Sequence, residues 1–95
     1  MLVERFTWKV SHLYQREFID LLKAMLEAQG KTPRVCTYVF GDRDIVTSDL
    51  HYETLADREK DVADFDYNLP EWIAFVERFP DLAETGMTCE LLQMH

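Results

Sequence analysis

The chain has 95 residues, 47% hydrophobic and 13% aromatic, with a net charge of −8 and a pI near 4.7. That length makes one domain, residues 1–95, which buries roughly 60–70% of its unfolded surface, and the apolar content is too high for a disordered chain. The acidic balance excludes nucleic acid and an anionic membrane as partners, since both need a basic face; the longest apolar run, "WIAFV", is far too short to span a bilayer, and "MLVERFTWKV" carries charges where a signal peptide is apolar, so the expected location is the cytoplasm.

The first run, "LVERFTWKV", alternates Phe6, Trp8 and Val10 with Arg5, Thr7 and Lys9, which is the pattern of a strand. Ser11 can cap the next segment, where Tyr14, Phe18, Leu21, Leu22 and Met25 follow helical spacing until Gly30 ends it. "RVCTYVF" is β-branched and aromatic, hence a second strand; "GDRD" is a turn, and "IVTSDLHY" is a third strand forming a hairpin with the second. Thr54 and Asp57 fit a capping box, after which Leu55, Val62, Phe65 and Leu69 trace a helical stripe. Pro70 opens a new helix with Trp72, Phe75, Val76 and Phe79 on one face, and Pro80 stops it. After the connection "DLAETG", "MTCELLQM" is a fourth strand.

The order β-α-β-β-α-β, with the second helix broken in two, is the ferredoxin-like α+β plan: a four-stranded antiparallel sheet with its helices on one face. In that plan the first and third strands are central and the second and fourth lie at opposite edges. Cys36 and Cys89 are then too far apart to bridge, and both are expected as free, buried thiols. They form no CxxC, HExxH is absent, and the three glycines stand in no phosphate-binding or nucleophile-elbow pattern. No metal and no cofactor is therefore expected.

The helices cover one face, and the apolar sides of the strands assign it to Phe6, Trp8, Val10, Cys36, Tyr38, Phe40, Val46, Leu50, Tyr52, Met87, Cys89 and Leu91. Glu4 shares that side near the start of its strand and is expected to reach solvent. The opposite face then carries Arg5, Thr7, Lys9, Val35, Thr37, Val39, Thr47, Asp49, His51, Thr88, Glu90 and Leu92. Such a mixed face suits a lined cavity or a homodimer interface. Asp49 beside His51 could orient the imidazole as a general acid or base, with Arg5 stabilising negative charge. The competing reading is an interfacial ion-pair cluster with no chemistry.

At "HYETLADRE" the sequence resembles the NIPSNAP-like family of the dimeric α+β barrel superfamily, whose proteins carry a tyrosine, one residue, a serine and then Leu-Ala-Glu-Arg where the third strand enters the second helix. Tyr52, Thr54, Leu55, Ala56, Asp57 and Arg58 match that run; "LPEW" is similar to the family's "DPEW", and "RFTWKVSH" to its first strand. The family often has His-x-Trp-x-Tyr in the third strand, where this chain has Ser48, Leu50 and Tyr52. On the family's register those three face the cavity and Asp49 and His51 face the helices. The cost of burying Asp49 argues for the reverse, and a bulge near Asp49 could reconcile the two.

The resemblance implies a homodimer with a cleft and does not choose a reaction among cofactor-free monooxygenases, cyclases and isomerases. No histidine stands in the second helix, which argues against haem chemistry. Two hypotheses follow. One is a small-molecule binder or cofactor-free enzyme acting on an aromatic or polyketide-like ligand. Its catalytic residues would be His51, Asp49 and Arg5, and its substrate-binding residues Thr7, Lys9, Thr37, Tyr52 and Glu90. The other is a non-catalytic homodimeric interaction module.

Overall fold

The alternating first run forms strand β1 (Leu2–Lys9), and Val10 continues it through a single bridge to Ala83. Helix α1 (Gln15–Ala28) follows and buries Phe18, Leu22, Met25 and Leu26 along its apolar stripe. Ser11 caps a turn before the helix rather than the helix itself: its carbonyl accepts from the Tyr14 N–H at 2.8 Å and its hydroxyl from the Leu13 N–H at 3.4 Å. At the other end Gly30, with φ +78°, takes the left-handed conformation. Its N–H donates to Glu27 and that of Lys31 to Leu26, the paired bonds that close a helix at a glycine.

The remaining elements are β2 (Arg34–Thr37), β3 (Ile45–Tyr52), α2 (Leu55–Ala63), α3 (Pro70–Leu82) and β4 (Thr88–Gln93). Thr54 caps α2 by accepting from the Asp57 N–H at 3.2 Å, and Pro70 sits at the first position of α3. The computed structural model describes residues 1–84 and 87–95; Thr85 and Gly86, from the expected connection before β4, lie outside them. The sheet order is β2-β3-β1-β4 with antiparallel pairings throughout, which is the ferredoxin-like arrangement, with β1 and β3 central.

The core lies between the sheet and the helices and centres on Phe18, which is fully buried. Its ring meets Trp8 edge-on at 5.4 Å and packs against Phe75 and Phe79 at 5.7 and 6.2 Å. Helix α2 is docked much less closely and buries none of its residues completely; Leu55 and Val62 are both about half exposed, at 50% and 49%.

Four expectations need correction. Strand β2 ends at Thr37, so Tyr38, Val39 and Phe40 leave the sheet and are exposed, Phe40 at 88%. Its facing is also reversed: Val35 pairs with Ser48 and Thr37 with Val46, which puts Val35 and Thr37 on the helix side and Arg34 and Cys36 on the open side. Pro80 lies inside α3 rather than ending it, because in the last turn a missing N–H removes only one bond of the ladder. Cys36 and Cys89 are free thiols at opposite edges, as expected, but both are exposed, since β2 and β4 are edge strands and every residue of β4 is exposed.

Candidate functional site

On the open face, β1 places Arg5 between Asp49 of β3 and Glu90 of β4. The guanidinium grips Asp49 with two bonds, Nε to Oδ1 at 2.9 Å and Nη2 to Oδ2 at 3.0 Å. This bidentate bond, more than the field of Arg5, His51 and Arg34, holds the Asp49 carboxyl below the usual carboxylate range against the opposing effect of burial. Both Asp49 oxygens are engaged by Arg5, and among the described residues no hydrogen bond joins Asp49 to His51. His51 is exposed opposite Val3, while Thr7 and Lys9 occupy the same face further along β1.

Because the Asp49 pKa is depressed by folding, its contribution to stability is present above the unfolded carboxylate pKa and is lost as pH falls through the lower folded value. Acid titration of unfolding should therefore show a shallower loss of stability below about pH 4 in Asp49→Asn than in the parent. Superimposable acid limbs would contradict the pairing.

The helix-facing side of the same strands has a different character. Glu4, Phe6 and Trp8 of β1 stand beside Ser48 and Leu50 of β3, and α1, α2 and α3 close over them without filling the space. The result is a cavity of about 570 Å³, in the size range of a small-molecule site. Its walls are aromatic and aliphatic, with Phe65, Trp72, Phe75 and Phe79 opposite the sheet. Polar groups are few. Glu4 is 3% exposed and accepts from Arg58 Nε at 2.6 Å. Ser48 is 0% exposed, and its hydroxyl finds no hydrogen-bond partner among the described residues. Buried polar groups are otherwise almost always paired, so a lone hydroxyl on a cavity wall needs an explanation.

Trp72 lines this cavity and is only partly buried, edge-on to Phe65 at 5.0 Å and to Tyr67 at 5.5 Å. Trp72→Ala should accordingly cost about 2 kcal/mol, below the range for a fully buried aromatic, measured by chemical denaturation. A loss under about 0.5 kcal/mol would mean that α3 does not shape the cavity wall.

A second, polar groove of about 570 Å³ lies between the loop after α1, β3 and α2, and it is lined by Lys31, Arg34, His51, Tyr52, Asp57 and Asp61 among others. Here Asp61 receives both Lys31 Nζ at 2.5 Å and the Tyr52 hydroxyl at 2.8 Å. Burial pushes the Asp61 carboxyl up, but the two donors outweigh it and hold the group low. Burial and the neighbouring Asp61 carboxylate push the Tyr52 phenol well above its ordinary range. Lys31 also lies 5.6 Å from the Phe65 ring centroid and lines both spaces, so it forms part of the wall between groove and cavity.

This geometry separates the residues singled out in the sequence. Arg5, Thr7, Lys9, Asp49, His51 and Glu90 share the open face, whereas Thr37 and Tyr52 lie on the helix side. Pairing of β3 runs unbroken from Leu2↔Tyr52 to Lys9↔Ile45, without a bulge, and it turns Asp49 and His51 to the open face and not toward the helices as the family's register implied. Asp49 is on the open face, as its desolvation cost requires. Ser48 and Leu50 line the apolar cavity and Tyr52 the groove, because the cavity lies under the helices rather than on the open face. Glu4, expected to reach solvent, is instead buried against Arg58. Glu4 and Arg58 are the candidate-site residues that pattern reading missed, whereas Ser48 was named only by the family's register. The available signal was an acid between Leu2 and Phe6 on an apolar strand side, with an arginine in the one motif that carried the resemblance. Among the described residues no three potential metal ligands converge.

No protein-family profile matches the chain, and no curated protein does. Solved structures do. A NIPSNAP domain protein from Burkholderia xenovorans superposes with a TM-score of 0.76 at 20% identity, covering 100% of this chain and 95% of its own. A NIPSNAP family protein from Agrobacterium tumefaciens follows at 0.74 and 17%, with 99% and 85% covered. A proposed antibiotic biosynthesis monooxygenase from Deinococcus radiodurans gives 0.67 at 13%, with 100% and 93% covered. The chain thus has the ferredoxin-like α+β fold that NIPSNAP domain proteins and such monooxygenases share. At these identities the likeness establishes the fold.

Proposed function

We propose that this is a NIPSNAP-like protein whose single domain binds a small aromatic or polyketide-like molecule in the cavity between sheet and helices. The observation that carries this reading is an unfilled 570 Å³ apolar space walled by aromatic side chains. A ligand that binds only the folded state raises its stability by mass action. Naphthalene-sized aromatics at about 100 times their Kd should stabilise the protein by about 2.7 kcal/mol. Val76→Trp, which places an indole at the cavity wall, should abolish the effect. Equal stabilisation of parent and variant would place binding elsewhere.

The same reading makes the protein a cytoplasmic homodimer through the open sheet face, with Arg5, Asp49, Glu90, Thr7 and Lys9 in the contact between protomers. Support comes from the mixed character of that face, with exposed Leu92 beside the Arg5–Asp49 pair, and no helix among the described residues is long and apolar enough to cross a membrane. Light scattering at micromolar concentration should give twice the chain mass, and a monomer mass would remove the interface. In an enzymatic version, His51, which lines the polar groove beside Tyr52, would be the general acid or base. Arg5 and Asp49 would then act through the dimer rather than on the ligand. The alternative, a non-catalytic homodimeric module, is favoured by the engagement of both Asp49 oxygens by Arg5, which leaves the open face without an assembled acid–base pair.

A further inference from the structure

The ligand's chemistry can be narrowed further, on the assumption that the apolar cavity is the binding site. One fully buried hydroxyl on its wall, that of Ser48, finds no partner among the described residues. Glu4 contributes a carboxylate whose Oε2 is bonded by Arg58, while among the described residues its other oxygen accepts no hydrogen bond. Glu4 pairs with Leu50 and Phe6 with Ser48, so Glu4 and Ser48 are diagonal neighbours on the same sheet face. Arg58, which stands behind Glu4 and does not line the cavity, is already engaged by the carboxylate, and Lys31, the one cation among the described residues that lines it, is engaged by Asp61. An acceptor with spare capacity and a lone hydroxyl therefore meet a mainly apolar space in which no cation among the described residues is left over.

We infer that the cavity selects uncharged aromatic molecules bearing an O–H or N–H donor, and that Glu4 is the residue that sets this preference. A phenolic or related donor would bond the free oxygen of Glu4 and could accept from Ser48, satisfying both groups at once. An aromatic carboxylate would instead bring a second negative charge beside Glu4 into a space of low dielectric, where like charges repel strongly. An aromatic lacking any donor would fill the space and leave both protein groups unpaired.

Calorimetric titration of the intact protein with 2-naphthol, naphthalene and 2-naphthoate near pH 7 tests the inference with molecules of one size. The expected order is 2-naphthol tighter than naphthalene by roughly ten- to hundred-fold, the range of a hydrogen bond to a charged group, with 2-naphthoate weakest. Glu4→Gln, which keeps only a neutral acceptor, should shrink the preference for 2-naphthol over naphthalene to about three-fold. Equal affinity for 2-naphthol and naphthalene in the parent overturns the role of Glu4 while leaving the cavity as a binding site. Tightest binding of 2-naphthoate overturns it in favour of anion recognition by Arg58 or Lys31. If none of the three binds, the cavity reading fails and takes this inference with it. The parent's rank order decides even if Glu4→Gln does not fold.

Discussion

Arg58→Ala should destabilise the protein by about 3 kcal/mol, at the lower end of the range for breaking a buried ion pair by removing one partner. The asymmetry of the pair sets this expectation. The Glu4 side chain is 4% exposed and that of Arg58 29%, so removing the arginine leaves a carboxylate stranded inside while the reverse change leaves a cation that still reaches water. Glu4→Leu should consequently cost less than Arg58→Ala. The double variant Glu4→Leu/Arg58→Leu should recover most of the loss, because exchanging both charges for apolar groups is close to neutral. Urea denaturation of the three variants forms the test. A cost below about 1 kcal/mol for Arg58→Ala would mean that Glu4 is hydrated and not enclosed as described.

Phe18→Ala should be the most damaging single truncation in the core, at about 4 kcal/mol. Phe18 is fully buried on α1 and its ring is in contact with Trp8 of β1 and with Phe75 and Phe79 of α3, so it joins the sheet to both helices. Truncation would remove those contacts and enlarge a space that is already unfilled nearby, where Trp8, Phe75 and Phe79 all line the cavity. The walls cannot collapse easily between a sheet and two docked helices, and incomplete collapse is what makes such deletions costly. A loss near 1 kcal/mol would show that α1 and α3 can close the gap.

Most of the fold was legible because β1, β3 and the helices carry strong periodicity with chemical punctuation at Gly30, Thr54 and Pro70. The second strand was not. Tyr38, Val39 and Phe40 have the composition of a strand, but β3 begins only at Ile45, and the register set by Thr37↔Val46 leaves no β3 residue opposite Val39 and Phe40. Apolar composition also misled the facing of β2, where Cys36 was preferred to Val35 for the covered side. With only four residues, the pairing with β3 decides which side faces inward, not the strand's own pattern. The apolar cavity was hidden for a related reason. The stripe of Leu55, Val62 and Phe65 reads as a core-facing helix, and no periodicity distinguishes a stripe that packs from one that borders an empty space. Glu4 was legible as an anomaly, an acid on an apolar side, but its partner Arg58 is 54 positions away in sequence and was out of reach of local pattern.

The central claim is that an aromatic molecule enters the cavity under the helices, and the two tryptophans of the chain, Trp8 and Trp72, both stand in its wall. Titration of 15N-labelled protein with 2-naphthol, followed through the two indole N–H cross-peaks, therefore tests it most directly. Saturable shifts of both indoles with a common Kd, accompanied by shifts of the Ser48 and Leu50 amides on the sheet side, are the predicted result. Indoles that stay in place while amides of the open face around Arg5 and Asp49 respond would contradict the claim and move the site to the other side of the sheet.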